Sequence, residues 1–248
     1  MKTCLLGAIL CIASALVCAA DCTAQGIPPR DQWGEKFNSP GAKLTFKETV
    51  REVMGDRTVV TYNLFASSLP KDQHYVLCML GLGKEPQATT DAYLNDEGKV
   101  VNVLADPARH VAEDPIDLKV YGSKGEPFRF AIISDDGQLR AFTQIVPFPI
   151  EKTNGTCRIS AVELGPYYSG VLITVTGLQP NEAFMTETHS ENEGGQTNAT
   201  ADAQGTYRAG VFPFVKGKGS GKAGFRVSAQ SCKVEIEFPW GEGSQKFQ

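Results

Sequence analysis

From residue 42 onward the chain repeats short runs of β-branched and aromatic residues, broken by Gly, Pro, Asn and Asp. Alternation is visible in Val171-Leu172-Ile173-Thr174-Val175-Thr176 and in Lys233-Val234-Glu235-Ile236-Glu237-Phe238. A period of two sets one face of a strand on a core and the other in water. The pattern predicts strands over 43–48, 58–66, 74–80, 99–104, 128–133 and 139–146, then over 157–164, 171–176, 183–188, 206–212, 224–229 and 233–238. Asp135-Asp136-Gly137, between two of these runs, has the chemistry of a hairpin turn. Helix is hinted at only in 110–113 and near the N-terminus. Strands at this spacing predict an all-β chain built of sandwiches.

The two halves share an order of turns. Ser68-Leu69-Pro70-Lys71-Asp72 follows a strand in the first half, as Gly177-Leu178-Gln179-Pro180-Asn181-Glu182 does in the second. Asn95-Asp96-Glu97-Gly98 lines up with Asp202-Ala203-Gln204-Gly205, and each half closes on Pro and an aromatic, Pro147-Phe148 and Pro239-Trp240. The first copy is longer, mainly through 105–125. The expected organisation is a leader at 1–20, an N-terminal extension at 21–41, a first sandwich at 42–149, a polar linker at 150–156, a second sandwich at 157–241 and a tail at 242–248. On the strand–Leu-x-Pro turn–strand segment, the Asp-x-x-Gly turn and the closing strand, roughly 42–241 resembles tandem immunoglobulin-like or fibronectin-type-III-like modules of exported bacterial proteins. In fibronectin modules the Leu-Pro turn falls late in the domain; here it falls early. The resemblance implies two tandem immunoglobulin-like sandwich domains, a fold that hosts adhesion, scaffolding and carbohydrate binding alike.

The first twenty residues change the picture of address. Lys2 supplies one positive charge, 4–20 is uncharged and apolar, and small residues lead to the first acid, Asp21. That layout predicts a cleaved secretory signal peptide, with a secreted, periplasmic or envelope destination and no transmembrane span afterwards. Neither Cys18 nor Cys22 sits in a good lipoprotein context. Of seven cysteines, Cys4, Cys11 and Cys18 leave with the leader, so Cys22, Cys78, Cys157 and Cys232 remain. Four cysteines allow three connectivities. Cys157 opens the second half and Cys232 lies near its end, which favours that pair and leaves Cys22 with Cys78 by elimination.

Charge and motifs mostly exclude. With 24 Lys+Arg against 28 Asp+Glu, a net charge of −4 disfavours nucleic acid as a partner. Gly219-Ser220-Gly221-Lys222-Ala223-Gly224 spells a dinucleotide loop, yet a strand rather than a helix is predicted after it. His74, His110 and His189 show no metal-ligand spacing, and no nucleophile elbow or His-Glu-x-x-His motif occurs, so no metal, cofactor or catalytic residue is assigned. The acidic turns at 95–98, 135–137 and 202–205 lack the ligand alternation of calcium loops and read as Asx turns. The best binding candidates are aromatic: Tyr167 and Tyr168 in the loop Gly165-Pro166-Tyr167-Tyr168-Ser169-Gly170, and Trp240 past the last strand. The competing role for one tyrosine and for Trp240 is to close the ends of a core. The functional expectation is an exported, non-catalytic interaction or structural module contacting an envelope or extracellular protein. The alternatives are a carbohydrate-binding module and, behind it, a hydrolase with its site between the two sandwiches.

Overall fold

A computed structural model describes residues 27–102 and 115–246. They form sixteen strands in four antiparallel sheets. In the N-terminal half, β1 (Lys43–Met54), β2 (Arg57–Ser67) and β6 (Leu118–Val120) make a sheet of order β1-β2-β6. It faces a five-stranded sheet, β5-β4-β3-β7-β8, built from β3 (Tyr75–Leu80), β4 (Gln87–Leu94), β5 (Val100–Asn102), β7 (Phe128–Ser134) and β8 (Arg140–Ile145). The C-terminal half pairs β9 (Ile150–Asn154), β10 (Cys157–Gly165), β11 (Gly170–Thr176) and β14 (Tyr207–Val211), ordered β14-β11-β10-β9, with β12 (Ala183–Ser190), β13 (Glu193–Thr200), β15 (Ser220–Ser228) and β16 (Lys233–Gly241), ordered β13-β12-β15-β16. Each pair of sheets encloses its own core. Val60, Leu64, Leu77, Phe130 and Ile132 centre the first; Ile159, Ile173, Phe225, Val227 and Phe238 centre the second.

Strand order repeats between the halves. Taking β1 with β10 and β2 with β11, the order β1-β2-β6 recurs as β10-β11-β14, and β4-β3-β7-β8 recurs as β13-β12-β15-β16. Matched turns share their chemistry. Ser68 and Gly177 both take positive φ, 59° and 83°, and each precedes a buried leucine, Leu69 or Leu178. Asn95 Oδ1 accepts from the backbone N–H of Glu97 and Lys99 at 3.0 and 2.8 Å; Asp202 Oδ1 accepts from Gln204 and Thr206 at the same two distances. Both turns end on a left-handed glycine, Gly98 or Gly205, where a Cβ would lie 2.4 Å from the Ala66 carbonyl or 2.1 Å from that of Leu178. Only glycine fits so close an approach.

The N-terminal extension is a third layer. Strand β3 reads Tyr-Val-Leu-Cys-Met-Leu without a polar break, as does Phe130 to Ile133 of β7, because both faces of this sheet are covered. Cys78, Leu80, Ala131, Ile133 and Phe142 point away from the main core and are buried under Trp33, with Ile27 and Phe37 beside it. Trp33 meets Phe142 edge-on at 5.5 Å and donates its Nε1–H to the Pro28 carbonyl at 2.9 Å. The same segment closes the free edge of β8. Asn38 Oδ1 accepts the Phe142 N–H at 2.7 Å, and the Ser39 N–H donates to the Arg140 carbonyl at 2.9 Å. An unpaired edge invites pairing with other chains, so the strap also protects it.

Two expectations change. The segment 150–156, read as a linker, is strand β9 and its turn, with Cys157 paired to Asn154; Ile150 enters the second core, so the polar residues that follow it are the exposed side of an edge strand. Cys78 is a free, buried thiol rather than half of a bridge to Cys22, which itself lies outside the described residues. The strap and the sheet seal Cys78 from both sides, and burial pushes the thiol up to about 12. The other pairing is present: Cys157 and Cys232 form a disulfide, Cα–Cα 5.9 Å, joining the start of β10 to the approach of β16 across the two sheets. In the chain-entropy account, closing 75 residues this way stabilises by about 4 to 5 kcal/mol.

Candidate functional site

The site develops where the halves meet. Strand β10 sends Cys157, Ile159 and Ala161 inward, and the same parity sends Glu163 inward, leaving it 5% exposed. Glu163 N–H donates to the Gly125 carbonyl at 2.9 Å, and Gly125 N–H donates to the Phe148 carbonyl at 2.6 Å, so the loop before β7 docks on β10. Gly125 has φ 75°, a left-handed conformation that favours glycine, and a Cβ there would also lie 3.1 Å from the Ala161 carbonyl.

Beyond Glu163 the chain turns sharply through Pro166–Tyr168. Tyr167 and Tyr168 both take left-handed φ, 59° and 55°. Such values cost on the order of 1 to 3 kcal/mol per non-glycine residue and persist only where the surroundings enforce them. Here they do. Tyr168 N–H donates to Glu163 Oε1 at 2.9 Å, Ser169 N–H donates to the Pro166 carbonyl at 3.2 Å, and the Tyr168 hydroxyl donates to the Lys124 carbonyl. The Tyr168 ring stacks on Phe238, centroids 6.3 Å apart. Tyr168 is therefore locked in the core at 1% exposure while its neighbour Tyr167 is turned out to 47%.

Tyr167 overlooks a groove of about 520 Å³ whose walls include Lys84, Ser123 and Glu126 from the first half and Glu163 and Ser244 from the second. Glu126 Oε2 accepts the Ser123 N–H at 3.0 Å. Burial pushes the Glu163 carboxyl up to about 7, against the opposing pull of the Tyr168 N–H, and the charge of Glu126 adds to the rise. Burial and the two glutamates likewise raise the Tyr168 hydroxyl well above its ordinary range. The groove thus offers an exposed aromatic face, a lysine and two carboxyls, one of which gains or loses a proton near neutrality.

Of the aromatic candidates read from sequence, Tyr167 and Tyr168 come together here and Trp240 does not. Trp240 is 5% exposed in the second core, its Nε1–H without a partner among the described residues. Sequence reasoning passed over Glu163, though its signal was legible: an acid in the inward register of Cys157, Ile159 and Ala161. Residues 220–224 of the glycine-rich stretch lie in β15, so no helix end faces a phosphate there. His74 sits between Asp135, 2.6 Å from Nδ1, and Asp91, 3.4 Å from Nε2; His110 lies outside the described residues.

No family model and no curated protein matches the chain. Among solved structures, the crystal structure of red sea bream transglutaminase is similar over 83% of this chain and 32% of that chain, at 11% identity and a TM-score of 0.25. The chain thus spans about a third of that protein's length, and at that score the likeness bears on neither fold family nor activity.

Proposed function

We propose that this chain is an exported, non-catalytic interaction module of two tandem immunoglobulin-like or fibronectin-type-III-like sandwiches, working in the cell envelope or extracellular space and contacting a protein through the junction groove. The observation that carries this reading is the turn at Pro166–Tyr168, where conformational strain is spent on holding one tyrosine out to solvent above the groove. An outward aromatic next to mixed charge is the composition of a contact surface. Exposed Phe212 and Phe214, 73% and 69% accessible, line a separate groove beside His189 and Ser190, and apolar exposure of that size fits a protein partner better than a glycan. The repeated strand order supports the tandem assignment, and the disulfide fits an oxidising compartment.

Crosslinked affinity capture of the natively exported protein, followed by mass spectrometry, tests the proposal. A stoichiometric protein partner is expected, lost in Tyr167→Ala with unchanged thermal stability. A partner retained by Tyr167→Ala removes the groove from the reading, and glycan retention in place of a protein moves carbohydrate binding to the front.

One observation favours a second reading, a hydrolase acting in this groove. A carboxyl pushed up to about 7 beside a second carboxyl is an arrangement that general acid–base chemistry uses. A screen of ester, glycoside and peptide substrates decides it: turnover by the wild type that Glu163→Gln abolishes supports a hydrolase, and its absence leaves Glu163 as the tie that holds the tyrosine turn.

A further inference from the structure

Away from the junction, the outer face of the β13-β12-β15-β16 sheet carries two adjacent cross-strand rows. One row reads Glu187, Arg226, Glu235; the next reads His189, Gly224, Glu237. We propose that His189, Glu235 and Glu237 bind a divalent transition-metal cation of the zinc class.

One donor atom from each residue lies within 4.8 Å of the other two. Zinc takes imidazole nitrogen and carboxylate oxygen at about 2.0 to 2.2 Å, which sets ligand atoms about 3 to 4 Å apart. Closing the set requires side-chain adjustments on the order of 1 Å, within reach of glutamates on a solvent-facing sheet. Glu235 and Glu237 are two apart on one strand, so the pleat presents both on the same face.

The floor of the patch is bare backbone. Gly224 is the cross-strand neighbour of both His189 and Glu237, and a Cβ there would fall 2.2 Å from His189 Cε1 and 2.6 Å from Nε2. The imidazole therefore rests in the space that any other residue would fill, with Nε2 4.0 Å from Glu237 Oε1.

The patch sets Glu187, Glu235, Glu237 and His189 beside Arg226, and Lys152 also lines the groove next to Glu235 and Glu237. Arg226 is shared between Glu187 Oε2 at 3.2 Å and Glu235 Oε2 at 2.9 Å. Glu235 Oε1 and the Glu237 carboxylate accept no hydrogen bond among the described residues apart from the long approach of His189. The two glutamates also border an open groove of about 450 Å³ beside β9, shared with Glu151 and Lys152, so their carboxylates are reached by water. Calcium and magnesium favour all-oxygen shells, whereas imidazole with carboxylate selects zinc and its neighbours.

Isothermal titration of the full chain with zinc chloride alone tests the site. Saturable 1:1 binding is expected, with the dissociation constant raised at least tenfold in His189→Ala and in Glu237→Gln and unchanged in His74→Ala. Glu237 is exposed, so its variant decides the matter if His189→Ala unfolds. Absence of saturable 1:1 heat in the wild type overturns the proposal, as does undiminished binding by Glu237→Gln. Loss of binding in His74→Ala alone assigns the ion to the other half, and calcium chloride binding as tightly as zinc overturns the metal class.

Discussion

Glu163 is ionised at a price set by its burial, and the sign of the effect follows from where its proton goes. Its carboxyl sits at about 7 in the fold against an ordinary 4.5. Between those values the folded protein holds a proton that the unfolded chain has released, so stability falls as pH rises through this window and is level on either side. The span is on the order of 3 kcal/mol. Glu182 and Glu191, each lowered first by hydrogen bonds they accept, act in the opposite sense, their contribution being lost as pH falls through the acid range. Glu163→Gln isolates the buried group, since an amide oxygen still accepts the Tyr168 N–H. Urea unfolding at pH 4.5 and 7.5 is expected to show a smaller loss on the alkaline side for the variant than for the wild type; equal losses refute the assignment. The aromatic pair teaches a related lesson. That one of two adjacent tyrosines closes the core was legible in the sequence, but which one was not, because the choice depends on two successive left-handed residues enforced by Glu163 and Lys124 from outside the loop.

Among the elements, legibility followed burial. Strands β10, β11 and β16 alternate in sequence because one face meets the core and the other meets water. Strands β4, β6, β9 and β13 went unread. In β13 the run Glu-Gly-Gly-Gln-Thr-Asn-Ala-Thr exposes nearly every side chain, so the strand is held by backbone pairing to β12, which leaves no hydrophobic trace. The unbroken apolar runs of β3 and β7 fit two covered faces, but nothing in them tells that the cover comes from residues before β1. That strap yields a prediction. Trp33→Ala removes a 7%-exposed side chain over Phe142 and Cys78 and is expected to destabilise by about 3 to 5 kcal/mol. In the wild type, the Cys78 thiol, protonated and sealed, is expected to resist alkylation until the protein is denatured. The variant opens it, and peptide mass spectrometry of native labelled samples locates the adduct. Alkylation of Cys78 in the folded wild type at the rate of an unfolded chain contradicts the sealed face.

At the scale of the molecule, the halves share a strand order but are fastened differently. The first relies on the strap, and its described cysteine, Cys78, is unbridged; the second is closed by Cys157–Cys232, a bridge that encloses β10 to β15 and leaves β9 and β16 outside the loop. The difference has a mechanical consequence. When the chain is pulled from its ends, 75 residues of the second half are withheld behind a covalent short-circuit, about 250 Å of contour length. Force spectroscopy is expected to show that missing length appear on reduction, with the extension released by the first half unchanged. Under load, then, the N-terminal half can be drawn out over its whole length, whereas β10 to β15 of the C-terminal half stay behind the bridge even after β9 and β16 are pulled away.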